Sequence, residues 1–361
     1  MIVFVVDINP KIGAGHIMRC LALAQAARNN GVHSVFICAE NNIQYAEKIL
    51  QADFLLAGYP LQNTDQPPQQ GLGELLAKHL VKSEHNFVFL DGYHYSAQFK
   101  QDLQQSCQQL AATLVQIDDN ADCPPYLADY IVNPSVTSQT VPDYSNWLAM
   151  DKIIAGDEFR LLRQEFAEQP LIAAKERQDI VITMGGTDPL ELTWPVIQAC
   201  EKSFAESQQI TVVIGQNYPH AEQLKAQINQ LPEYINYVYA PENMAALFAS
   251  AKFVISAAGS AQFELFSMQT PAILLVVADN QARNTLVAKQ QGWVELLDCR
   301  DGLPDDELVW LINNMCNGDW LVKYQRILEL QQGLSKPIAK GAENVLVQLF
   351  ALNSSAKQEV E

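Results

Sequence analysis

Short β-branched runs alternate with longer stretches of helical periodicity from the first residues of this chain, and the alternation restarts near its middle. In the first half the runs are Ile2–Val6, Ser34–Cys38, Asp53–Leu56, Phe87–Leu90, Thr113–Ile117, Tyr130–Val132 and Ile153–Ile154. Between them, Ile17–Asn29, Gln44–Gln51, Gly73–Val81 and Ala97–Ala111 carry helical spacing, and Gly31 marks a helix stop. The second half repeats the scheme. Its strands are Asp179–Thr183, Ile210–Ile214, Ile235–Val238, Phe253–Ser256 and Ala272–Val276, and its helices Leu190–Ser207, Ala221–Gln230, Met244–Ala249, Ser260–Met268 and Asn280–Gln291. Strand, turn and helix in this order build parallel sheets, and two such halves predict two Rossmann-like α/β domains facing across a cleft. At 361 residues the chain has two-domain length. The expected limits are 1–160 for the first domain, 161–178 for a Gln-rich linker and 179–335 for the second domain. Residues 336–361 are expected to form a C-terminal helix and a disordered tail after Asn353.

Composition narrows the ligands. Lys and Arg number 23 against 41 Asp and Glu, a net charge of −18. That argues against a nucleic-acid backbone as partner, since such binding needs clustered cations. An anionic small molecule would have to be held by backbone N–H groups and a few local cations. No apolar run approaches the ~20 residues that span a bilayer, so no stable membrane insertion is expected. Seven scattered cysteines without a C-x-x-C pair read as reduced thiols of a cytoplasmic protein. The six histidines form no metal-binding spacing, so neither metal nor other cofactor is expected.

Four strand-end clusters could carry chemistry. The first, Lys11 to Arg19, follows the first strand; Gly13 and Gly15 permit close backbone approach and His16 falls in the first helical turn. The positive end of a helix disfavours added charge on that ring, which suits it to accept a proton. On position alone, capping the helix explains His16 equally well. The second is Met184 to Pro189, where Gly185, Gly186 and Thr187 form a candidate ligand loop, and Thr187 or Asp188 would cap a helix beginning near Pro189. In the third, small residues Ala258, Gly259, Ser260 and Ala261 leave N–H groups accessible to a diphosphate, with Glu264 one turn on as an acceptor for ribose hydroxyls. The fourth places Asn280 and Gln281 at a strand-to-helix junction, as caps or as readers of a polyhydroxylated substrate. Asp7, Asp91, Tyr93, Asp118 and Asp119 are further strand-end polar groups; each carboxylate taken alone is more often a cap or turn residue. A glycosidase pair at Asp118 and Asp119 is disfavoured, because adjacent residues rarely flank one bond.

Together these clusters resemble a known family. I-G-A-G-H-I-M-R-C-L-A-L-A (Ile12–Ala24) is similar to the N-terminal signature of the UDP-2,4-diacetamido-2,4,6-trideoxy-β-L-altropyranose hydrolases of pseudaminic acid biosynthesis. In the family's order follow L-D-G-Y (90–93), I-D-D (117–119), G-D-E-F-R-L-L-R-Q-E-F (156–166), M-G-G-T-D-P (184–189), V-V-I-G-Q-N-Y-P-H (212–220), A-G-S-A-Q-F-E (258–264) and A-D-N-Q (278–281). The third cluster departs from the family's usual G-G-S-T and W-E. The resemblance implies a GT-B fold and hydrolysis of a UDP-linked diacetamido-trideoxyhexose, with His16 as general base activating water with inversion. It further implies UDP bound by the second domain through Gly185, Gly186, Thr187, Ala258, Gly259, Ser260, Ala261 and Glu264. Asp7, Gly13, Gly15, Arg19, Tyr93, Arg163, Asn280 and Gln281 are the implied sugar or phosphate contacts. A UDP-sugar is then the small-molecule partner of a monomer or weak homodimer. A GT-B transferase moving the sugar to an acceptor in surface polysaccharide synthesis is the alternative, and a catalytically silent nucleotide-sugar-binding module is a third reading.

Overall fold

The computed structural model describes residues 1–6, 15–39, 47–59, 71–80, 85–136, 140–203, 208–335 and 337–358, without the side chains of Tyr59, Asn280, Arg283, Asn284 and residues 355–358. Asp7 and Gly13 lie outside the described residues. The chain divides into two compact units, Met1–Gln164 with Ser335–Glu361, and Glu165–Leu334.

The first unit is built on a seven-stranded parallel sheet in the order β3-β2-β1-β4-β5-β6-β7. Its strands are β1 (Ile2–Val6), β2 (Ser34–Ala39), β3 (Leu55–Tyr59), β4 (Phe87–Asp91), β5 (Thr113–Ile117), β6 (Tyr130–Asn133) and β7 (Ile153–Ala155). Sequential strands run outward from β1 in one direction and then from β4 in the other, so the carboxyl ends of β1 and β4 lie side by side at a topological switch point. Continuous β-branched and aromatic runs suit this sheet because helices cover both faces. Phe4 stacks on Phe36 and Phe89 of the flanking strands at ring-centroid distances of 4.9 and 5.2 Å, in register with both. α1 (Gly15–Asn29) packs Ile17, Leu21 and Ala24 on this face, and Gly31, at φ +72°, closes it. α2 (Glu47–Gln51), α3 (Leu72–His79) and α4 (Ala97–Gln109) complete the layers. β3 begins two residues later than the expected run, because Asp53, at φ +56°, is a turn residue.

The second unit holds a six-stranded parallel sheet in the order β10-β9-β8-β11-β12-β13. α5 (Gln164–Glu168) leads into it. Its strands are β8 (Asp179–Thr183), β9 (Gln209–Ile214), β10 (Ile235–Tyr239), β11 (Ala251–Ala257), β12 (Ala272–Val276) and β13 (Val294–Asp298). The helices are α6 (Thr193–Glu201), α7 (Ala221–Ile228), α8 (Met244–Ser250), α9 (Ala261–Ser267), α10 (Asp279–Gln291), α11 (Asp305–Asn314) and α12 (Trp320–Gln332). Here the switch point lies between β8 and β11. β13, α11 and α12 lie beyond the elements read from the sequence.

Two segments differ from expectation. Of residues 161–178, read as a linker, 165–178 are packed into the second unit. Phe166 is buried against Phe248, and the Glu165 carboxylate accepts from the Met244 N–H at the start of α8 (2.9 Å). Arg177, fully buried, donates to the carbonyls of Ile172, Ala251 and Met268 and to the Thr270 hydroxyl. No carboxylate among the described residues pairs with it, and burial pulls its guanidinium down to about 10. The other segment is α13 (Gly341–Gln358), which belongs to the first unit: Ala342, Val345, Leu346 and Leu349 enter the core beneath β1 and α1. The helix continues past Asn353 to Gln358, into the stretch read as a disordered tail, and the Asn353 carboxamide is buried and accepts from the Thr113 hydroxyl (3.2 Å).

Candidate active site

The site in the first unit grows from the switch point between β1 and β4. His16 sits at the second position of α1, 5% exposed, and Asp91 ends β4, fully buried. The two meet side by side, Nδ1 of His16 lying 2.6 Å from Asp91 Oδ1. A carboxylate can only accept, so Nδ1 carries the proton and the Nε2 lone pair is left as the basic atom. The 3.0 Å approach of Arg19 Nη2 to the same Nδ1 is then proximity of two donors around a shared acceptor. No described residue hydrogen-bonds Nε2. This arrangement fixes the orientation and tautomer of a helix-start imidazole, as a carboxylate does in a histidine–aspartate pair.

Arg19, one turn further along α1, closes the cluster. Its Nε donates to Asp91 Oδ2 (2.6 Å) and Nη2 to Asp91 Oδ1, while Nη1 reaches both oxygens of Asp119 at 2.9 and 2.7 Å. The hydroxyls of Tyr93 and Ser135 donate to Asp119 as well. Burial alone would raise the Asp91 carboxyl, but the charges of Arg19 and His16 outweigh it and hold the group well below the usual carboxylate range. In Asp119 burial is likewise overcome, first by Arg19 and then by the two hydroxyls. Burial raises the Tyr93 phenol, and the Asp119 charge adds to that shift. Tyr93 is 36% exposed and sets its ring edge-on to His16, 4.8 Å between centroids.

Asp118 faces elsewhere. It accepts from the Tyr126 and Tyr144 hydroxyls (2.9 and 2.6 Å) and the Ala121 N–H (2.7 Å), a buried structural network that separates it from its neighbour Asp119. Its carboxyl is raised by burial. Asp118, Asp122 and Cys123 form the one group among the described residues whose ligand atoms cluster as a cation would need, within 4.8 Å. The Asp118 oxygens are already occupied by those three donors. All seven cysteines are free.

Of the other expected contacts, Gly15 opens α1 and Arg163 is half-buried at the end of the first unit, in residues Met1–Gln164. Arg19, expected as a sugar or phosphate contact, has its guanidinium paired with two carboxylates of the protein. Sequence reasoning missed the pairing of Asp91 with His16 and any part for Ser135. The available signal was a carboxylate at the end of β4, the strand that neighbours β1 in a sheet with this switch point.

In the second unit the expected residues gather at the carboxyl ends of β8, β11 and β12. Gly185, at φ +79°, Gly186 and Thr187 form an exposed turn after β8. Gly215, after β9, lies directly beneath it: a Cβ there would stand 2.4 Å from the Gly185 carbonyl oxygen and 2.5 Å from that of Gly186. Asp188 is buried and accepts from the N–H groups of Leu192 and Thr193 (2.9 and 2.8 Å). It thus caps α6 as expected of this loop, but the helix starts at Thr193 and not near Pro189. Ala258 is buried, Gly259 adopts φ +129°, Ser260 is exposed, and Ala261 and Glu264 belong to the first turn of α9. Gln281 accepts from the Val277 N–H (2.9 Å), and its Nε2 lies 3.7 Å from the place of a Gly259 Cβ. The third and fourth clusters are therefore one surface. Asn280 contributes backbone to α10; its side chain lies outside the description.

Comparison with known proteins agrees with this architecture. Residues 180–314 match the model of the glycosyltransferase family 28 C-terminal domain. The chain is similar to the spore coat polysaccharide biosynthesis protein SpsG of Bacillus subtilis, 23% identical over 193 residues, 53% of this chain and 55% of that protein. It is also 23% identical over 285 residues to the uncharacterized protein MJ1062 of Methanocaldococcus jannaschii, covering 76% of this chain and 55% of the relative. The chain thus spans about half the length of the curated relatives it matches. Among solved structures, MurG of Acinetobacter baumannii superposes with a TM-score of 0.63 at 13% identity over 95% of this chain and 98% of its own. Among the described residues no helix is long and apolar enough to cross a membrane. Two Rossmann-like parallel-sheet units, with glycosyltransferases as structural neighbours and a second unit matching the family 28 C-terminal domain, make this a protein of the GT-B fold.

Proposed function

We propose that the chain moves a sugar from a UDP-linked donor to an oxygen nucleophile, with inversion, and that His16 is the base. The His16–Asp91 pair carries this reading, because it leaves a defined lone pair on Nε2. The acceptor O–H gives its proton to Nε2 as its oxygen attacks the anomeric carbon. The bond from that carbon to the diphosphate breaks, and UDP departs with the electron pair. In this reading the second unit holds UDP. The backbone N–H groups around Gly185, Gly186, Thr187, Ala258, Gly259, Ser260 and Ala261 take the diphosphate, and Glu264 takes the ribose hydroxyls. Tyr93, Gly15, Arg163, Asn280 and Gln281 remain candidate contacts to the donor.

The family 28 match and the polysaccharide-biosynthesis relative support a carbohydrate hydroxyl as acceptor, in surface polysaccharide synthesis. Water is the second reading, which would make the chain a UDP-sugar hydrolase of the altropyranose type. It is favoured by the ordered motifs Ile12–Ala24 to 278–281 and by an imidazole 5% exposed, which suits a small nucleophile.

UDP release from a panel of UDP-sugars, with and without carbohydrate acceptors, separates the two, and proton NMR of the product gives the anomer. Acceptor-dependent release supports transfer; equal release without acceptor makes water the acceptor. His16→Ala is expected to lower turnover by roughly 10²- to 10⁴-fold while UDP affinity stays within about threefold. Full turnover in that variant would overturn the assignment of the base.

A further inference from the structure

Arg19 lies one turn from His16 on the same helix, its side chain 13% exposed and shared between two carboxylates. Both oxygens of Asp91 are held by its fork, Nε on Oδ2 and Nη2 on Oδ1, so the carboxylate cannot rotate away from Nδ1. Nη1 then carries both oxygens of Asp119. We propose that Arg19 and Asp119 are a positioning pair for the base: Arg19 clamps Asp91 against His16, and Asp119 offsets the clamp's charge so that the ring can take up a proton. The inference rests on His16 being the base.

Charge explains why both members are needed. An arginine beside Nδ1, 3.0 Å away, opposes a second positive charge on the imidazole. With Asp91 and Asp119 ionised, the buried cluster holds one net negative charge before proton transfer and none after it. Without Asp119 it would begin neutral and end positive. The charged and titratable groups around His16 among the described residues are Arg19 from α1, Asp91 from the end of β4, Tyr93 beyond it, Cys20 of α1 through Asp91, and Asp119, just after β5, through Arg19. Tyr93 closes the circle, its ring against His16 and its hydroxyl on Asp119. Arg19 and Asp119 touch neither donor nor acceptor in this reading, so their effect falls on the chemical step.

The test uses the full chain with Arg19→Gln and the isosteric Asp119→Asn. Nitrogen NMR of the His16 ring reads the tautomer without substrate. Wild type is expected to hold the proton on Nδ1, and Arg19→Gln to populate both tautomers. In turnover, Asp119→Asn is expected to lower kcat about tenfold or more with KM within about threefold. The acid limb of its pH profile should move to lower pH, and that of Arg19→Gln to higher pH, because the two changes remove opposite charges. A merely structural role would not give opposite shifts. If Arg19→Gln fails to fold, Asp119→Asn carries the test alone. A ring tautomer indifferent to Arg19, or an acid limb that stays in place in folded Asp119→Asn, would overturn the positioning pair. Full turnover in His16→Ala would instead remove the catalytic reading beneath it.

Discussion

A histidine ring serves as a base only when something decides which nitrogen keeps the proton. In the proposed mechanism Asp91 decides it for His16, and the carboxylate's own ionisation is secured by Arg19. Asp91→Asn retains the shape but sets an N–H₂ group against the donors of Arg19 or His16. Turnover should fall by roughly 10²- to 10⁴-fold. Removing one partner of a buried ion pair should also cost about 3–5 kcal/mol. The sign with pH follows from the depressed Asp91 carboxyl. Its stabilisation is fully present above the unfolded carboxylate value of about 3.9 and is lost as pH falls through the lower folded value. Urea unfolding should therefore show a gap between wild type and Asp91→Asn at about pH 5 that narrows below about pH 4. A gap that widens in acid would contradict this. His16 itself was legible as a candidate from its place after β1. Its partner was not, because 75 residues separate the two and a strand-end aspartate is more often a cap or turn residue.

Among the elements, the loops after β8 and β9 bear on each other more than either sequence shows. Gly215 admits the backbone of Gly185 and Gly186 where no Cβ fits. Gly215→Ala should displace that turn, destabilise the second unit by about 1–3 kcal/mol and weaken UDP binding in a calorimetric titration. Unchanged UDP affinity would separate this turn from the nucleotide site. Asp188→Ala is the control within the same loop: it removes the α6 cap and should cost about 1–2 kcal/mol in a thermal melt. The glycine pair and the capping aspartate were visible as motifs, whereas the start of α6 was not. Asp188 reaches over an intervening turn, at φ +43°, to cap a helix five residues on. Pro189 offered an earlier start that the backbone does not take.

At the scale of the molecule, the last helix stabilises the first unit although the whole second unit precedes it in the chain. Leu349 is fully buried in the core it shares with Ile2, Phe4 and Leu23. Leu349→Ala should lower stability by about 2–5 kcal/mol, seen as an earlier thermal transition. Loss of His16-dependent turnover should accompany it, and a variant that melts like wild type would show the helix to be dispensable. Local pattern alone determined the strand and helix types, the two-unit α/β class and the clustering of polar and glycine residues at strand ends. Each follows from burial periodicity and backbone chemistry within a dozen residues. Strand order was decided only in three dimensions, and with it the neighbours β1 and β4 that bring His16 to Asp91, the placing of Gln281 near Gly259, and the return of α13. These depend on which apolar faces find each other across long stretches of chain, and no local periodicity encodes that choice.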